Sequence, residues 1–386
     1  MLTPATTTRK KICLLTTSEL VVRWFLLDQL AALSQRYDVT LLVNTDNPSF
    51  LQDTGIRVRV LPLDIARKIS PSQDLRTLLD LVRRLQRERF DLVHTVAPKA
   101  GLLGIMAAAI TRVPLRIHTF QGEVWATRTG LMRRLLRFLD WLVARLATHL
   151  LVVSESERQF LVAEGILPPS KSRVLAKGSI CGVDTQRFSP PGDNKAALRA
   201  RMNIAPAQTV FLYVGRLTKD KGILDLVVAF DQFWLTNPAS LLMIVGPDEE
   251  QLGAHIRAMK LKADAAIRIP GPTTTPEDYI AAADVVCLPS YREGLGMVLI
   301  EAAAVGIPAM ASRIYGISDA VVDGETGLLH TPASVEDIRQ TMQRLSSDPA
   351  LRQRLGNQAL QRARRDFSQE TVTAALLDFY TEILAT

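Results

Sequence analysis

The feature that most constrains the fold is an alternation, run through twice, of short apolar segments and stretches of helical periodicity. In the first run, residues 11–17, 39–43, 58–62, 90–95, 115–119 and 149–154 read as short strands apolar enough to be buried on both faces. Segments 24–33, 74–89, 100–110, 128–147 and 155–164 between them read as helices. A second run places strands at 209–215, 240–246, 266–270, 284–289 and 308–311. Its helices fall at 223–233, 299–305, 334–346, 349–365 and 368–385. Strands separated by helices pair in parallel, so the pattern predicts an α/β chain of two tandem doubly wound, Rossmann-like domains. Ligands of such sheets bind at the carboxyl ends of the strands, here expected in an inter-domain cleft. The Gly-, Pro- and Ser-rich stretch 178–192 breaks the alternation and reads as the linker. The expected domains are 1–185 and 186–366, with a terminal helix over 367–386 packing back on the first.

Charge narrows the partners. The net charge of +7 divides into 27 Lys and Arg against 16 Asp and Glu in residues 1–190 (+11), and 19 against 23 in residues 191–386 (−4). A basic half suggests an anionic partner, but no nucleic-acid module is present and aromatics do not interleave with the basic runs. An anionic membrane surface fits better. Segment 128–147 can be a core helix with a solvated basic edge at Arg128, Arg133, Arg134 and Arg137, or a helix resting on anionic lipid headgroups. No apolar run is long enough to span a bilayer, and the one after Arg9-Lys10-Lys11 is too short for a signal peptide. Cys13, Cys181 and Cys287 lie far apart without metal-ligand spacing, which points to a reducing compartment and against a zinc site. The expected location is cytoplasmic, peripheral on the inner face of the membrane.

Two stretches carry the chemistry. In 290–301 a strand leads through Gly294 and Gly296 into an Ala-rich helix, with Glu293 before the helix and Glu301 inside it. Such a turn aims backbone N–H groups and a positive helix end at an anion, while the carboxylates suit hydroxyls. In 214–222 a strand ends at Gly215, and Arg216 and Lys221 follow before the next helix. A glycine there admits a ligand close to the backbone, and the two cations can clamp diphosphate oxygens. Asp248-Glu-Glu250 has the spacing of a metal-binding Asp-x-Asp, but a solvated turn is its expected role, so no metal is assigned.

Gly215-Arg-Leu-x-x-x-Lys-Gly222, Leu288-Pro-Ser-x-x-Glu-Gly-x-Gly296 and the Glu293-x7-Glu301 spacing resemble the retaining glycosyltransferases of family 4. Gly182-Val-Asp-x-x-x-Phe-x-Pro190 and Gly316-Ile-x-Asp-x-Val-x-Asp-Gly-x-Thr-Gly-Leu328 match the same family. The chain is similar in particular to bacterial enzymes of capsule, O-antigen and lipid-linked oligosaccharide synthesis. The resemblance implies a GT-B fold, with a nucleotide-sugar, expected to be a UDP-sugar, held by the second domain and the acceptor by the first. It assigns Arg216 and Lys221 to the diphosphate, with Gly215 and the backbone at Gly296 and Met297 beside it. Glu301 is assigned to the ribose, Glu293 to the donor sugar, and Pro270 and Ser290 to the pocket of the base. His118 is expected near the transferred sugar, its alternative being a buried, satisfied histidine.

Two departures qualify this: Gln121 stands where relatives carry a second histidine, and 16–20 lacks a Gly-Gly, leaving Ser18 or Glu19 to serve. His94 and Lys99 are weaker candidates for an acceptor phosphate. The function expected is retaining, metal-independent transfer of a sugar to a lipid-linked saccharide on polyprenyl diphosphate. The alternatives are a sugar-nucleotide epimerase on the same scaffold and a nucleotide-binding subunit that has lost transfer.

Overall fold

The computed structural model describes residues 9–65 and 70–385. The chain divides into two compact units, one joining Met1–Cys181 with Val372–Thr386 and the other comprising Gly182–Thr371.

The first unit is built on a seven-stranded parallel sheet: β1 (Lys11–Leu15), β2 (Asp38–Val43), β3 (Arg59–Pro62), β4 (Leu92–Val96), β5 (Leu115–Phe120), β6 (His149–Val152) and β7 (Ser172–Arg173). Their order is β3-β2-β1-β4-β5-β6-β7, so the winding reverses between β1 and β4. Side chains alternate across the pleat. Ile12 and Leu14 therefore join one core, with Leu41, Val43 and, from the last helix (Gln369–Leu384), Leu376, Phe379 and Tyr380. Cys13 and Leu15 join the opposite core, with Leu81, Leu85, Leu103 and Ala107 from helices Pro71–Glu88 and Pro98–Ile110. The single helix expected over 24–33 is two, Glu19–Phe25 and Leu27–Arg36, divided at Leu26. β7 was not legible, because two residues make no pattern.

The second unit holds a six-stranded parallel sheet: β8 (Thr209–Val214), β9 (Ser240–Val245), β10 (Ile267–Gly271), β11 (Val285–Leu288), β12 (Ala309–Ser312) and β13 (Gly327–His330), ordered β10-β9-β8-β11-β12-β13. Its reversal lies between β8 and β11. Among the described residues no helix is long and apolar enough to cross a membrane.

Candidate functional site

The two chemistry-bearing stretches leave adjacent strands. β8 runs into Gly215 and Arg216, and its neighbour β11 runs into Ser290 and Glu293, so both emerge where the strand order reverses. That is where open α/β sheets leave a crevice for ligands. Glycines line the edge. Gly215 has φ +156°, Gly246 φ +145° and Gly271 φ +92°, each at the end of its strand. A Cβ on Gly246 would come within 1.9 Å of the Gly215 carbonyl oxygen, so these strand ends approach closely only because a side chain is missing.

The cations are held by carboxylates. Lys221 Nζ lies 2.6 Å from Glu293 Oε1, both side chains 14% exposed, and the same oxygen accepts from the buried Ser290 hydroxyl at 2.8 Å. Arg216 pairs with Glu249 at 3.0 Å, and its carbonyl accepts from the Tyr213 hydroxyl at 2.8 Å. Arg292 bonds Asp220 at 2.8 Å. Burial pushes the Asp220 carboxyl up, but the Thr218 hydroxyl, Lys221 and Arg292 outweigh it, and the group titrates below the usual carboxylate range. Gly222, at φ +66°, sets Lys221 against β11, since a Cβ there would meet the Pro289 carbonyl at 2.1 Å.

Gly296, at φ +80°, caps the helix Met297–Val305, which starts from the loop that follows β11. The loop before it is backed by Gly316, where a Cβ would lie 2.6 Å from the Glu293 carbonyl. Glu301 stands in the second turn of that helix. Removal from water pushes its carboxyl from 4.5 up to about 7, with Arg187 opposing the shift and Glu277 adding to it. Arg187 itself bonds Glu277 at 2.9 Å. Pro270 lies in β10, two strands from β8 and exposed at the same edge.

Asp248–Glu250 is exposed, as expected of a solvated turn, and also makes contacts that the spacing did not show: Asp248 accepts from the backbone N–H groups of Leu252 and Gly253, Glu249 holds Arg216, and Glu250 accepts from the Lys219 backbone at 3.0 Å. Arg187, in the linker motif, was likewise missed as a neighbour of Glu301. In both cases the signal is charge complementarity between distant segments, which linear spacing does not show.

In the first unit, His118 occupies β5 and is 3% exposed. The Thr95 hydroxyl reaches the Ile117 carbonyl at 3.2 Å and His118 Nδ1 at 2.8 Å, so Nδ1 donates to the hydroxyl oxygen. The ring fits against Gly101, where a Cβ would stand 2.3 Å from Cε1, and its edge meets Phe120 at 4.7 Å. Burial lowers its pKa to about 4, which keeps the imidazole neutral at pH 7. Gln121 is half-buried, at the end of the same strand. His94 is enclosed between the Tyr380 hydroxyl and Thr119 at 2.7 Å each, Lys99 pairs with Asp74 at 2.6 Å, and Glu19 accepts from Thr45. Arg133 and Arg137, expected on a solvated edge, both pair with Glu164.

Comparison with known proteins agrees with this arrangement. The glycosyl transferases group 1 family matches residues 194–362, and the glycosyl transferase 4-like domain matches residues 22–178. A capsular polysaccharide biosynthesis glycosyltransferase of Staphylococcus aureus is 27% identical, covering 89% of this chain and 90% of that protein. The UDP-Gal:alpha-D-GlcNAc-diphosphoundecaprenol alpha-1,3-galactosyltransferase of Escherichia coli is 27% identical over 82% of each. A D-inositol 3-phosphate glycosyltransferase of Kribbella flavida is 31% identical, covering 77% of this chain and 73% of that protein. Among solved structures, sucrose-phosphate synthase of Thermosynechococcus elongatus superposes with a TM-score of 0.81 at 22% identity, covering 98% of this chain and 100% of that one. Anabaena HepE in complex with UDP and glucose gives 0.80 at 19% identity, covering 97% and 100%. With the switch-point loops of the second sheet and both family matches in hand, the chain belongs to the family 4 glycosyltransferases of GT-B fold.

Proposed function

We propose that the protein is a retaining glycosyltransferase that moves a sugar from a UDP-sugar to a lipid-linked saccharide at an anionic membrane surface. The observation that carries the donor half is the pairing of Lys221 with Glu293 at the switch point of the second sheet. A diphosphate entering there competes for Lys221 and Arg216, which frees Glu293 for sugar hydroxyls. As the glycosidic C–O bond breaks, negative charge grows on the β-phosphate, so fixed cations favour the transition state over the ground state. Arg216, Lys221 and the N–H groups at Gly296 and Met297 supply that charge without a metal ion. Glu301 takes the ribose, and Pro270 and Ser290 border the base. UDP is supported by the galactosyltransferase named above, whose donor is a UDP-sugar, and by the UDP complex of the Anabaena relative in fold.

The acceptor half rests on the first unit. Leu235 apart, every exposed large apolar side chain among the described residues belongs to that unit. Leu75 and Leu79 lie in the first half of helix Pro71–Glu88, and Leu131, Met132, Leu135 and Phe138 lie toward the start of helix Gly130–Leu146. In a parallel α/β layer the helix starts share the edge where the strands end, so this apolar rim, with exposed Arg128 and Arg134, borders the edge that carries His118. A membrane-bound acceptor then arrives at the open edge of the sheet. The sequence relatives named above are glycosyltransferases, which favours transfer over epimerisation.

Retention and metal independence are tested together. Product made from an α-linked UDP-sugar in the presence of a chelator should carry an α linkage by NMR. A β-linked product, or a rate that collapses with chelator, contradicts the respective part of the proposal.

A further inference from the structure

Two acids are buried behind the turn that follows β5. Gly122 takes φ +87° in that turn, and its N–H donates to Oε1 of Glu157. Glu157 stands in the first turn of helix Glu155–Ala163, capped by Ser154, and accepts a further backbone hydrogen bond from Val153. Its other neighbour is a second acid: the Glu123 carboxyl lies within hydrogen-bonding reach, and Glu157 Oε2 is buried with no N–H or O–H of another described residue to accept from. Glu157 is fully enclosed and Glu123 is 3% exposed.

A hydrogen bond between two carboxyl groups needs a proton on one of them, and two carboxylates in contact away from water cannot both stay ionised. The cations on neighbouring elements are engaged elsewhere. Arg133 and Arg137 lie over the Trp125 ring and pair with Glu164, and Arg158 pairs with Glu155 at 2.8 Å. Asp140, a further acid of the region, accepts from Trp125 Nε1 at 2.7 Å. Burial first, then the charge of Glu123, drives Glu157 well above the usual carboxylate range.

We propose that Glu123 and Glu157 share one proton and, through the Glu157–Gly122 bond, hold the Gln121–Gly122 turn in the position that transfer requires. Loss of that proton at alkaline pH sets two carboxylates against each other, and the turn gives way. These are positioning residues, and the inference rests on the proposal that the His118–Gln121 end of β5 borders the transferred sugar. The other buried groups here titrate on the acid side, His118 at about 4 and Asp140 at about 6, so an alkaline limb belongs to neither.

The test follows three readouts on the full chain from neutral to alkaline pH. They are the infrared carbonyl band of a protonated carboxyl group, the amide resonance of Gly122, and the rate of sugar transfer. In the wild type the band, the Gly122 shift and the rate should change together. Glu157→Gln and Glu123→Gln each keep a side-chain hydrogen bond within the pair without a shared proton. Both should retain transfer and lose the alkaline limb, while Glu157→Ala should lower the rate roughly tenfold to a hundredfold. Absence of the protonated band at pH 7, or glutamine variants with the wild-type pH profile, would overturn the inference. If the band and the Gly122 resonance titrate together while the transfer rate stays flat, the pair holds the turn but the turn does not border the sugar; that overturns the site reading instead.

Discussion

At the scale of single residues, the Lys221–Glu293 pair sets the energetics of the site. Both groups are largely withdrawn from water, so each depends on the other, and in the proposed function a diphosphate takes the carboxylate's place. Lys221→Ala is expected to cost about 3 kcal/mol of transition-state stabilisation, on the order of a hundredfold in kcat, as for other preorganised charges. Initial-rate kinetics would show it, and near-normal turnover would contradict the diphosphate assignment. Glu301 makes a second prediction. Its carboxyl titrates at about 7 rather than 4.5, so between those values the folded chain keeps a proton that the unfolded chain has lost. Stability should therefore fall as pH rises through that window and level off above it, and Glu301→Gln should flatten the fall in thermal melts. Ribose hydroxyls donating to Glu301 favour its ionised form. UDP binding near pH 7 should then release protons, measurable by calorimetry in buffers of different ionisation enthalpy, and Glu301→Gln should abolish the release.

At the scale of elements, glycines decide how closely strands, helices and loops approach. Helix Pro98–Ile110 lies on the sheet with Gly101 facing the His118 ring. Gly101→Ala would force the imidazole off the Thr95 hydroxyl and is expected to destabilise the first unit by about 1–3 kcal/mol, as overpacking commonly does. Denaturant unfolding would show it, and an unchanged midpoint would mean that the helix can shift at little cost. The legibility of the sequence follows the same division. β1, β2, β8 and β9 are buried on both faces and announce themselves as apolar runs. The placement of Arg216, Lys221, Glu293 and Glu301 on two adjacent strand–turn–helix units was legible because glycine-bearing turns after strands have a local signature. Glu157 was not, because Ser154-Glu-Ser-Glu157 reads as an ordinary helix-capping box, whereas its carboxyl group turns to Gly122 on another loop. Helices Asn194–Arg201, Leu252–Ala258 and Pro276–Ala282 were missed because each has only seven or eight residues, too few to show a helical period.

At the scale of the whole molecule, the unit that carries the exposed apolar rim is also the basic one: +11 over residues 1–181, reduced to +9 by Asp378 and Glu382 of its returning segment. Vesicles rich in phosphatidylglycerol should bind the protein more tightly than neutral ones, and salt should weaken the binding. Combined Leu135→Asp and Phe138→Asp should lower vesicle binding without lowering UDP affinity; equal binding by the variant would contradict the rim as the contact surface. The C-terminal helix has a different role. Tyr380 is fully buried and bonds His94 on β4, beside Leu376 and Phe379. Ending the chain after Thr371 should therefore unfold the first unit while the second still binds UDP, as separate transitions in calorimetry would show.

That returning segment also governs how the protein can be made. Residues 182–371 form a complete unit, so they can fold as soon as they leave the ribosome. The earlier strands must wait for the segment that begins at Val372, made only after residues 182–371, before their core can close. Assembly therefore runs inside out, and the N-terminal half, though made first, is finished after the unit that follows it.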